Sequence, residues 1–434
     1  MTLSHRRLLT AAGLTFALLG GTALAIEPGY GPNPALPKPQ VQIVPTMQTF
    51  PAKGWEGTAT PKSAEGLKVA RFATGLDHPR WLLVLPNGDV LVAETNGPGY
   101  SAPGLRAIVE RAVMKRVGAK TESANRITLL RDADGDGVAE TKTVFLKDLV
   151  SPFGMALVGD DLYVANTDGI MHYKYKTGAT SITEPGKELT DLPALPIDHH
   201  WTKNIIASQD GTKLYATVGS NSNIGENGME NETGRAMIWE VDRATGKKRP
   251  FATGLRNPNG LAWEPVSKML WTVVNERDAL GNDLVPDYLT SVKDGAFYGW
   301  PYSYFGKNID ERVKDPDMTL VNRAIAPDYG LGAHTANLGL AFYTADLLPA
   351  KYKGGAFIGQ HGSWNRKPAA GYRVIFVPFA NGKPSGMPED ILTGFIAGDE
   401  KASGRPVGVA VDTKGALLVA DDVGNVIWRV TPAK

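Results

Sequence analysis

Six copies of one strand–turn–strand pattern between Leu67 and the C-terminus predict an all-β fold, a six-bladed β-propeller. In each copy, two short runs of alternating apolar and polar residues are separated by turn residues such as Gly, Asp and Asn. The copies recur at an irregular spacing of about 50 to 80 residues, which indicates insertions within or between blades. They occupy residues 72–94, 146–165, 198–220, 251–273, 336–360 and 404–422.

Ring closure is expected where the two ends of the repeat region meet. Residues 69–72 read as a strand that completes the last blade beside residues 426–430. Such a pairing hides two sheet edges that would otherwise be exposed. Two packed β-sandwiches are the alternative all-β architecture, but six copies of a single motif favour the propeller.

The first 25 residues have the pattern of an export signal. Two arginines at 6–7 precede an apolar run over 8–19, and a small-residue cleavage pattern follows at 23–25. The run is shorter than the roughly 20 apolar residues that a membrane span needs. We therefore expect a periplasmic or secreted protein without a membrane span in the mature chain, exported by the Sec or the twin-arginine route.

Residues 26–66 form a second segment ahead of the repeats. They contain eight prolines, which prevent regular helix or ladder pairing. We predict a Pro-rich N-terminal arm that lies in an extended form on the domain formed by residues 67–434.

The composition excludes several classes of protein. The chain contains no cysteine, which rules out disulfides, cysteine–zinc sites, thiolate nucleophiles and covalently attached c-type haem in this chain. Its formal net charge of +1 gives no reason to expect nucleic acid or an anionic membrane as a partner.

Two insertions can be interpreted. Residues 105–117 carry apolar residues at helical spacing and predict a small helix packed on one blade. The segment from Asp132 to Gly137, with acids at 132, 134 and 136, resembles the first half of a calcium loop. Thr143 occupies the twelfth position, where an EF-hand requires Glu. We interpret this segment as a polar hairpin turn, with calcium binding by Asp132–Asp136 as the alternative.

Cationic and histidine side chains recur just before the inner strand of several copies. Because blades are related by rotation about a channel, equivalent loops gather on one face. Guanidinium groups grip carboxylates in bidentate fashion, so such a funnel suits a small polyanionic ligand. For each residue alone, ordinary surface polarity is the alternative. The residues are His199, His200, Arg256, Asn257, His334 and Arg405.

An acidic loop follows the fourth copy. Clustered acids on a loop with Gly and Asn suit a hard, oxygen-binding cation, above all calcium. A solvated acidic loop, with Arg277 as a pairing partner, is the alternative. The candidate metal ligands are Glu276, Asp278, Asp283 and Asp287.

Three motifs carry a resemblance to a known family. They are H-x-x-x-x-I-x-x-S-x-D-G-x-K-L-Y from His200, G-L-R-N-P-N-G-L-A-W at 254–263 and Y-G-W-P at 298–301. From Leu67 onward the chain resembles the soluble pyrroloquinoline quinone (PQQ)-dependent sugar dehydrogenases, and within them the sorbosone dehydrogenase group. The resemblance implies a six-bladed propeller with PQQ and calcium as cofactors. It implies oxidation of a sugar or sugar-derived aldehyde, sorbosone-like or an aldose, by hydride transfer to PQQ, with a separate cytochrome or quinone as electron acceptor.

The resemblance also implies roles for individual residues. His200 corresponds to the catalytic base, and Arg256 with Asn257 to the pair beside the quinone. Arg405 corresponds to an arginine that holds a PQQ carboxylate, and His334 to a further PQQ contact. The 276–287 segment corresponds to the calcium loop, which in the family uses backbone carbonyls as well as acids. The family's lysine corresponds to Arg366 or Lys367 in G-S-W-N-R-K.

The chain departs from the family pattern at three places. His199 stands where the family has an Asp before the catalytic His. Asp278-Ala279 replaces the Gly-Pro of the calcium loop, with a local insertion. The S-P-F-G-M loop at 151–155 lacks a polar residue that some relatives place against the cofactor.

Two other functions remain to be distinguished from a dehydrogenase. A six-bladed calcium-dependent lactonase would need side-chain acids and an Asn pointing into the channel. A non-enzymatic binding propeller would need no cofactor pocket. His and Arg before the inner strands suit a polyanionic cofactor, so we predict the dehydrogenase.

Overall fold

The fold is the six-bladed β-propeller that the repeats predict. The computed structural model describes residues 28–42, 46–98, 122–194 and 197–433. Six blade sheets account for most of the described strands, and each is built on four antiparallel strands. In blades 1 to 5 these four strands follow chain order from the channel outward, whereas the outer strand of blade 6 comes from the start of the repeat region. The predicted export signal at 1–25 and the predicted helix at 105–117 lie outside the described residues.

In each of the first three blades, the four main strands run in chain order from the inner to the outer edge. Those of blade 1 are Pro79–Val84, Val90–Glu94, Arg126–Arg131 and Thr141–Leu146. Those of blade 2 are Met155–Val158, Asp161–Ala165, Gly169–Lys174 and Lys187–Asp191. Those of blade 3 are Ile205–Ala207, Lys213–Val218, Met237–Asp242 and Lys248–Thr253, with Ala296–Phe297 added in parallel at the edge.

The last three blades each include a strand from the N-terminal region. Blade 4 consists of Asn257–Trp263, Leu270–Asn275, Pro286–Val292, Tyr329–Ala333 and the edge strand Tyr30–Gly31. Blade 5 consists of Asn337–Phe342, Ala356–Gln360, Arg373–Val377, Glu389–Thr393 and the edge strand Lys62–Ser63. Blade 6 consists of Pro406–Val411, Leu417–Asp421, Val426–Pro432 and Leu67–Thr74.

Short hairpins and helices lie outside the blade sheets. Two small hairpins pair Ser303–Tyr304 with Asn308–Ile309 and Phe379–Ala380 with Lys383–Pro384. The helices in the described residues are one α-helix, Met318–Arg323, and two 3₁₀ turns, Met229–Glu232 and Ala350–Tyr352. None of these helices is long and apolar enough to span a membrane.

Blade 6 closes the ring as predicted. Its outer strand is the first strand of the repeat region, and Val69 pairs with Val430 in an antiparallel ladder. The strand is longer than expected, since it spans Leu67–Thr74. This pairing joins the two ends of the repeat region in one sheet, so neither is left as a free edge.

Recurring glycines let the inner strands approach one another around the channel. Gly154, Gly260, Gly339 and Gly408 occupy equivalent positions in four copies of the repeat. A Cβ at Gly260 would lie 2.7 Å from the carbonyl oxygen of Leu338 in blade 5, and one at Gly408 would lie 2.8 Å from that of Arg80 in blade 1. Only glycine leaves room for such close backbone contacts.

The hydrophobic core is divided into layers between neighbouring blades. Each pair of adjacent blades shares one cluster of buried apolar residues. Trp271 of blade 4 packs in the same cluster as Ile358 of blade 5, for example. Since each blade is covered on both faces only by its neighbours, the closed ring is the unit that buries the core.

Candidate functional site

The loops before the inner strands and those after the second strands lie at the same end of the propeller, because adjacent strands are antiparallel. His200 precedes the inner strand of blade 3, and its Nδ1 donates a hydrogen bond to the carbonyl oxygen of Ser220 at 2.7 Å. Ser220 follows the second strand of that blade. A carbonyl only accepts, so Nδ1 carries the proton and the imidazole lone pair resides on Nε2.

The surroundings of His200 keep it neutral. Burial, and then the charges of Arg256 and His199, lower the pKa of His200 well below its usual range. His199 is exposed, in contrast to His200, and the two rings meet edge to face at 5.0 Å. Gly219 leaves room for this arrangement, since a Cβ there would lie 2.6 Å from the Cβ of His200 and even closer to the Asn257 amide.

Arg256 joins blades 3 and 4 at the site. It is buried, and its guanidinium donates to the carbonyl oxygen of Glu276 at 2.7 Å and to the side chain of Asn223 at 3.0 Å. One of its nitrogens also lies 3.5 Å from a carboxylate oxygen of Asp278. These contacts fix the planar guanidinium beside His200.

Asp278 connects Arg256 to blade 5. Its Oδ1 lies 3.3 Å from Nδ1 of His334 and accepts a hydrogen bond from Asn365 at 2.8 Å. Burial alone would raise the pKa of Asp278, but the hydrogen bond from His334 and the charge of Arg256 hold it well below its usual range. Burial alone would lower the pKa of His334, but the hydrogen bond and charge of Asp278 raise it. The two residues therefore form an ion pair at the mouth of the channel.

Arg405 is held on the opposite side, in blade 6. Its backbone N–H donates to Asp421 at 2.8 Å, and its guanidinium donates to the Tyr372 hydroxyl at 2.8 Å. Its Nε is buried without a hydrogen-bond partner among the described residues. Arg405 thus offers a free donor to a ligand.

A second cluster surrounds Asp422, and sequence reasoning missed it. Its Oδ2 lies 2.6 Å from Arg80, 2.8 Å from His361 and 3.4 Å from His78. Burial lowers the pKa of both His78 and His361 to about 4, so both are neutral. The signal was present in the H-P-R of the first copy, which lies at the start of an inner strand as Arg405-Pro406 does.

A buried ion cluster below His199 and His200 was also missed. The Asp198 carboxylate lies 3.2 Å from Arg235 and 3.4 Å from Lys203, and it accepts a hydrogen bond from Thr167. Burial lowers the pKa of Lys203 to about 8. These charges anchor the loop that carries His200 and leads into the inner strand of blade 3.

The residues expected to supply the family's lysine lie at the edge of the site. Arg366 pairs with Asp283 at 2.7 Å, and Lys367 is exposed. Asn365, their neighbour, is the residue of this loop that contacts Asp278.

The four predicted calcium ligands each have a protein partner in this structure, and calcium binding by this loop stays a prediction. Glu276 pairs with Arg277 at 3.1 Å inside the blade, Asp283 pairs with Arg366, and Asp278 lies in the His334 network. Asp287, with its pKa raised to about 6 by burial, accepts from the backbone N–H groups of Glu276 and Ala336. The loop neutralises each carboxylate with its own donor.

The carbonyl oxygens of this loop are engaged as well. Four of them accept hydrogen bonds from basic side chains. The carbonyls of Glu276, Asp278, Gly281 and Asn282 accept from Arg256, Arg312, His334 and Arg366, respectively. These hydrogen bonds hold the loop between Arg256 and His334.

The acids of the 132–140 hairpin do form a group. The ligand atoms of Asp132, Asp134, Asp136 and Glu140 lie within 4.8 Å of one another, and no other such group occurs in the described residues. Asp132 pairs with Lys414 at 3.0 Å, and the other carboxylates accept from backbone N–H groups of the turn. The segment is the predicted polar hairpin turn.

This fold and site define a six-bladed β-propeller whose channel mouth is lined by arginines, histidines and aspartates from blades 1, 3, 4, 5 and 6. The chain belongs to the TrAA12-like family, whose model matches residues 61–293 and 299–433. The family match confirms the predicted resemblance to soluble PQQ-dependent sugar dehydrogenases. Membership of the sorbosone dehydrogenase group stays a prediction.

Individual relatives are distant. An uncharacterised protein of Borreliella burgdorferi is 29% identical over 299 residues, which are 65% of this chain and 76% of that protein. The PQQ-dependent pyranose dehydrogenase of Coprinopsis cinerea is 21% identical over 357 residues. That match covers 73% of this chain but only 44% of the fungal enzyme, so it spans less than half of its length.

Two solved structures share the fold. The holo PQQ domain of the Coprinopsis cinerea pyranose dehydrogenase superposes with a TM-score of 0.69 at 20% identity, covering 88% of this chain and 100% of that one. The calcium structure of the Trichoderma reesei family AA12 enzyme gives a TM-score of 0.68 at 20% identity, covering 89% and 99%.

Proposed function

We propose that this protein is a PQQ-dependent dehydrogenase that oxidises a sugar or a sugar-derived aldehyde, sorbosone-like or an aldose. One observation carries the proposal: a neutral His200, oriented by Ser220, lies beside the guanidinium of Arg256. Family membership and the PQQ-dependent activity of the Coprinopsis cinerea relative support it.

The residues present fit PQQ, a flat molecule with three carboxylates. Arg256 and Arg405 approach from blades 4 and 6, and the Nε atoms of Arg405 and Arg80 are buried donors without partners in the described part of the chain. The Oδ1 of Asn257 is likewise buried and unpartnered there. Such atoms cost free energy unless a ligand satisfies them. Arg256, Asn257 and Arg405 would hold the cofactor, which supplies an electrophilic quinone that accepts a hydride.

His200 acts as the general base in this proposal. Its Nε2 lone pair accepts the hydroxyl proton of a sugar hemiacetal or hydrated aldehyde, while Nδ1 stays bonded to Ser220. Arg256 keeps the imidazole neutral and stabilises negative charge that develops nearby. Calcium, the second cofactor that the resemblance implies, would be held by the 276–287 loop in this proposal and would supply a Lewis acid.

Two features of the setting belong to the proposal. The chain is exported to the periplasm or secreted, as the pattern of residues 1–25 suggests. Electrons leave to a separate acceptor, a cytochrome or a quinone, because this chain lacks the cysteines for a covalently attached haem.

The test is reconstitution of the purified protein with PQQ, with and without calcium. We expect tight binding, a visible spectrum of bound quinone that bleaches with substrate, and dye reduction with members of a panel of sugars and aldehydes. Hydrolysis of lactones by the protein without PQQ would instead identify a lactonase. A protein that binds no PQQ and turns over none of these compounds would contradict the proposal and favour a binding propeller.

A further inference from the structure

The N-terminal arm crosses the face that carries the site. Residues 28–60 precede the part of the chain that matches the family, which begins at residue 61. The described parts of this arm contact loops of blades 4, 5 and 6 at the channel mouth. These contacts reach both sides of the proposed cofactor site.

Two aromatic residues of the arm stand behind Arg405. Phe50 packs edge to face on Tyr372 at 5.5 Å, and Tyr372 accepts the hydrogen bond from the Arg405 guanidinium. Trp55 donates its indole N–H to Asp421 at 2.7 Å, and Asp421 accepts the backbone N–H of Arg405. Tyr372 and Asp421, which hold Arg405, are therefore each in contact with one residue of the arm.

The backbone of the arm also fastens this region. The carbonyl of Ala402 accepts from the Lys53 N–H at 2.8 Å, and its own N–H donates to the carbonyl of Pro51 at 2.9 Å. Ala402 precedes Arg405 by three residues. Burial raises the pKa of the Asp421 carboxyl to about 6. The hydrogen bond from Trp55 acts in the opposite direction and favours the charged carboxylate.

The other side of the site is held by the first part of the arm. The Gln40 N–H donates to the carbonyl of Leu280 at 2.8 Å, and the Gln42 N–H donates to that of Ala279 at 3.1 Å. Both carbonyls follow Asp278 in the chain. The Gln48 N–H donates to the carbonyl of Trp364 at 3.0 Å, next to Asn365, which bonds to Asp278.

We propose that the arm is a positioning element of the PQQ site, with Trp55 and Phe50 as positioning residues that act through Arg405. This inference rests on the proposed function. A guanidinium fixed in advance binds an anionic ligand more tightly, because less side-chain freedom is lost on binding. The arm thus holds both Arg405 and the loop after Asp278 in the positions that bind a flat polyanion.

The test compares Trp55→Phe with Trp263→Phe in the full-length protein. Trp55→Phe removes the indole donor and keeps an aromatic ring against Phe395 and Trp428, which Trp55 contacts at 5.6 and 5.3 Å. Trp263→Phe removes an equivalent 2.7 Å hydrogen bond, to Ala207, at the far end of the blade 4 inner strand. PQQ dissociation constants from isothermal titration calorimetry and melting temperatures are measured for each variant.

We expect Trp55→Phe to weaken PQQ binding by about 3- to 10-fold, as the loss of one positioning hydrogen bond predicts. Trp263→Phe should lower the melting temperature comparably and leave the dissociation constant unchanged. Phe50→Leu should weaken binding in the same direction. In an Arg405→Lys background, Trp55→Phe should have a much smaller effect, because the residue through which it acts is already altered.

The outcomes distinguish failure of the proposed function from failure of this inference alone. If the wild-type protein binds no PQQ, the proposed function fails and this inference fails with it. If the wild-type protein binds PQQ but Trp55→Phe and Phe50→Leu bind it equally well, the inference alone is overturned. Equal weakening by Trp55→Phe and Trp263→Phe would also overturn it, since a general loss of stability would then explain both.

Discussion

The Nδ1 atom of His200 lies 2.7 Å from the carbonyl oxygen of Ser220, and this contact determines which nitrogen can act as a base. The proton sits on Nδ1, and the lone pair on Nε2 is available to a substrate hydroxyl. His199, the adjacent residue, is exposed and offers a natural comparison.

His200→Ala should bind PQQ nearly normally and turn over at least about 100-fold more slowly, because a general base is worth about that factor or more. The measurement is the rate of quinone reduction by substrate on PQQ-loaded protein. His199→Ala is the control and should change this rate little. A larger loss in His199→Ala than in His200→Ala would show that the base is assigned to the wrong residue.

Arg256→Ala should weaken PQQ binding and slow quinone reduction together. Arg256 contacts Glu276, Asn223 and Asp278. Its loss therefore removes the hydrogen bonds that hold these loops together as well as a positive charge. Arg256→Lys should recover only part of either property, because an ammonium cannot reproduce the planar fork. Titration calorimetry and stopped-flow absorbance would check both; full recovery by lysine would mean that charge alone matters.

The activity of the loaded enzyme should persist on the acid side of neutrality. The pKa of His200 lies well below its usual value of about 6.5, so the base remains unprotonated when the pH falls through that value. The check is the rate of quinone reduction between pH 5 and 8, roughly the range in which an ordinary histidine titrates. A steep loss of rate centred near pH 6.5 would contradict the environment described for His200.

The His334–Asp278 ion pair should stabilise the protein within a limited pH window. The raised pKa of His334 gives stability that is present below about 6.5, its unfolded value, and is lost as the pH rises through the folded value. The lowered pKa of Asp278 gives stability that is present above about 3.9 and is lost as the pH falls. His334→Gln should therefore cost most in melting temperature between about pH 4 and 6.5, and less at pH 9. A cost that does not vary with pH would argue against the ion pair.

Asp283→Asn should leave PQQ affinity and turnover within about twofold of wild type, since a partly exposed ion pair contributes about 0 to 1 kcal/mol. Its partner is Arg366, at the edge of the site. Asp278→Asn is the matched change inside the site and should weaken binding clearly, because Arg256 and His334 lose their shared carboxylate. Loss of a bound calcium ion in Asp283→Asn, measured by metal analysis, would contradict this expectation and support Asp283 as a calcium ligand.

Much of the fold was predictable because its signals are local. Alternation with period two marks the strands, and turn residues mark their ends. The glycines at 154, 260, 339 and 408 recur because inner strands must meet closely around a channel. The position of His200, Arg256 and Arg405 before inner strands follows from the same repeat, which is why the sequence could assign them to one face.

The calcium prediction rests on a weaker kind of signal. Acids at 276, 278, 283 and 287 are close in sequence, and that spacing alone suggested one site. Their donors are not all close in sequence, since Arg366 and His334 come from blade 5 and its preceding loop. Composition cannot show which cation neutralises which carboxylate.

By itself, the sequence determined the strand repeat, the closure of the ring by residues 69–72 beside 426–430, and the position of His200, Arg256 and Arg405 before inner strands. Only the tertiary structure decided their pairing: His334 with Asp278, His361 with Asp422 and Trp55 with Asp421. The physical reason is the difference in sequence separation between the residues that determine each property. Strand patterning depends on neighbours two residues apart. The free energy of a buried charge depends instead on whatever the closed ring brings within a few ångströms, which in these examples is a residue 56 to 366 positions away.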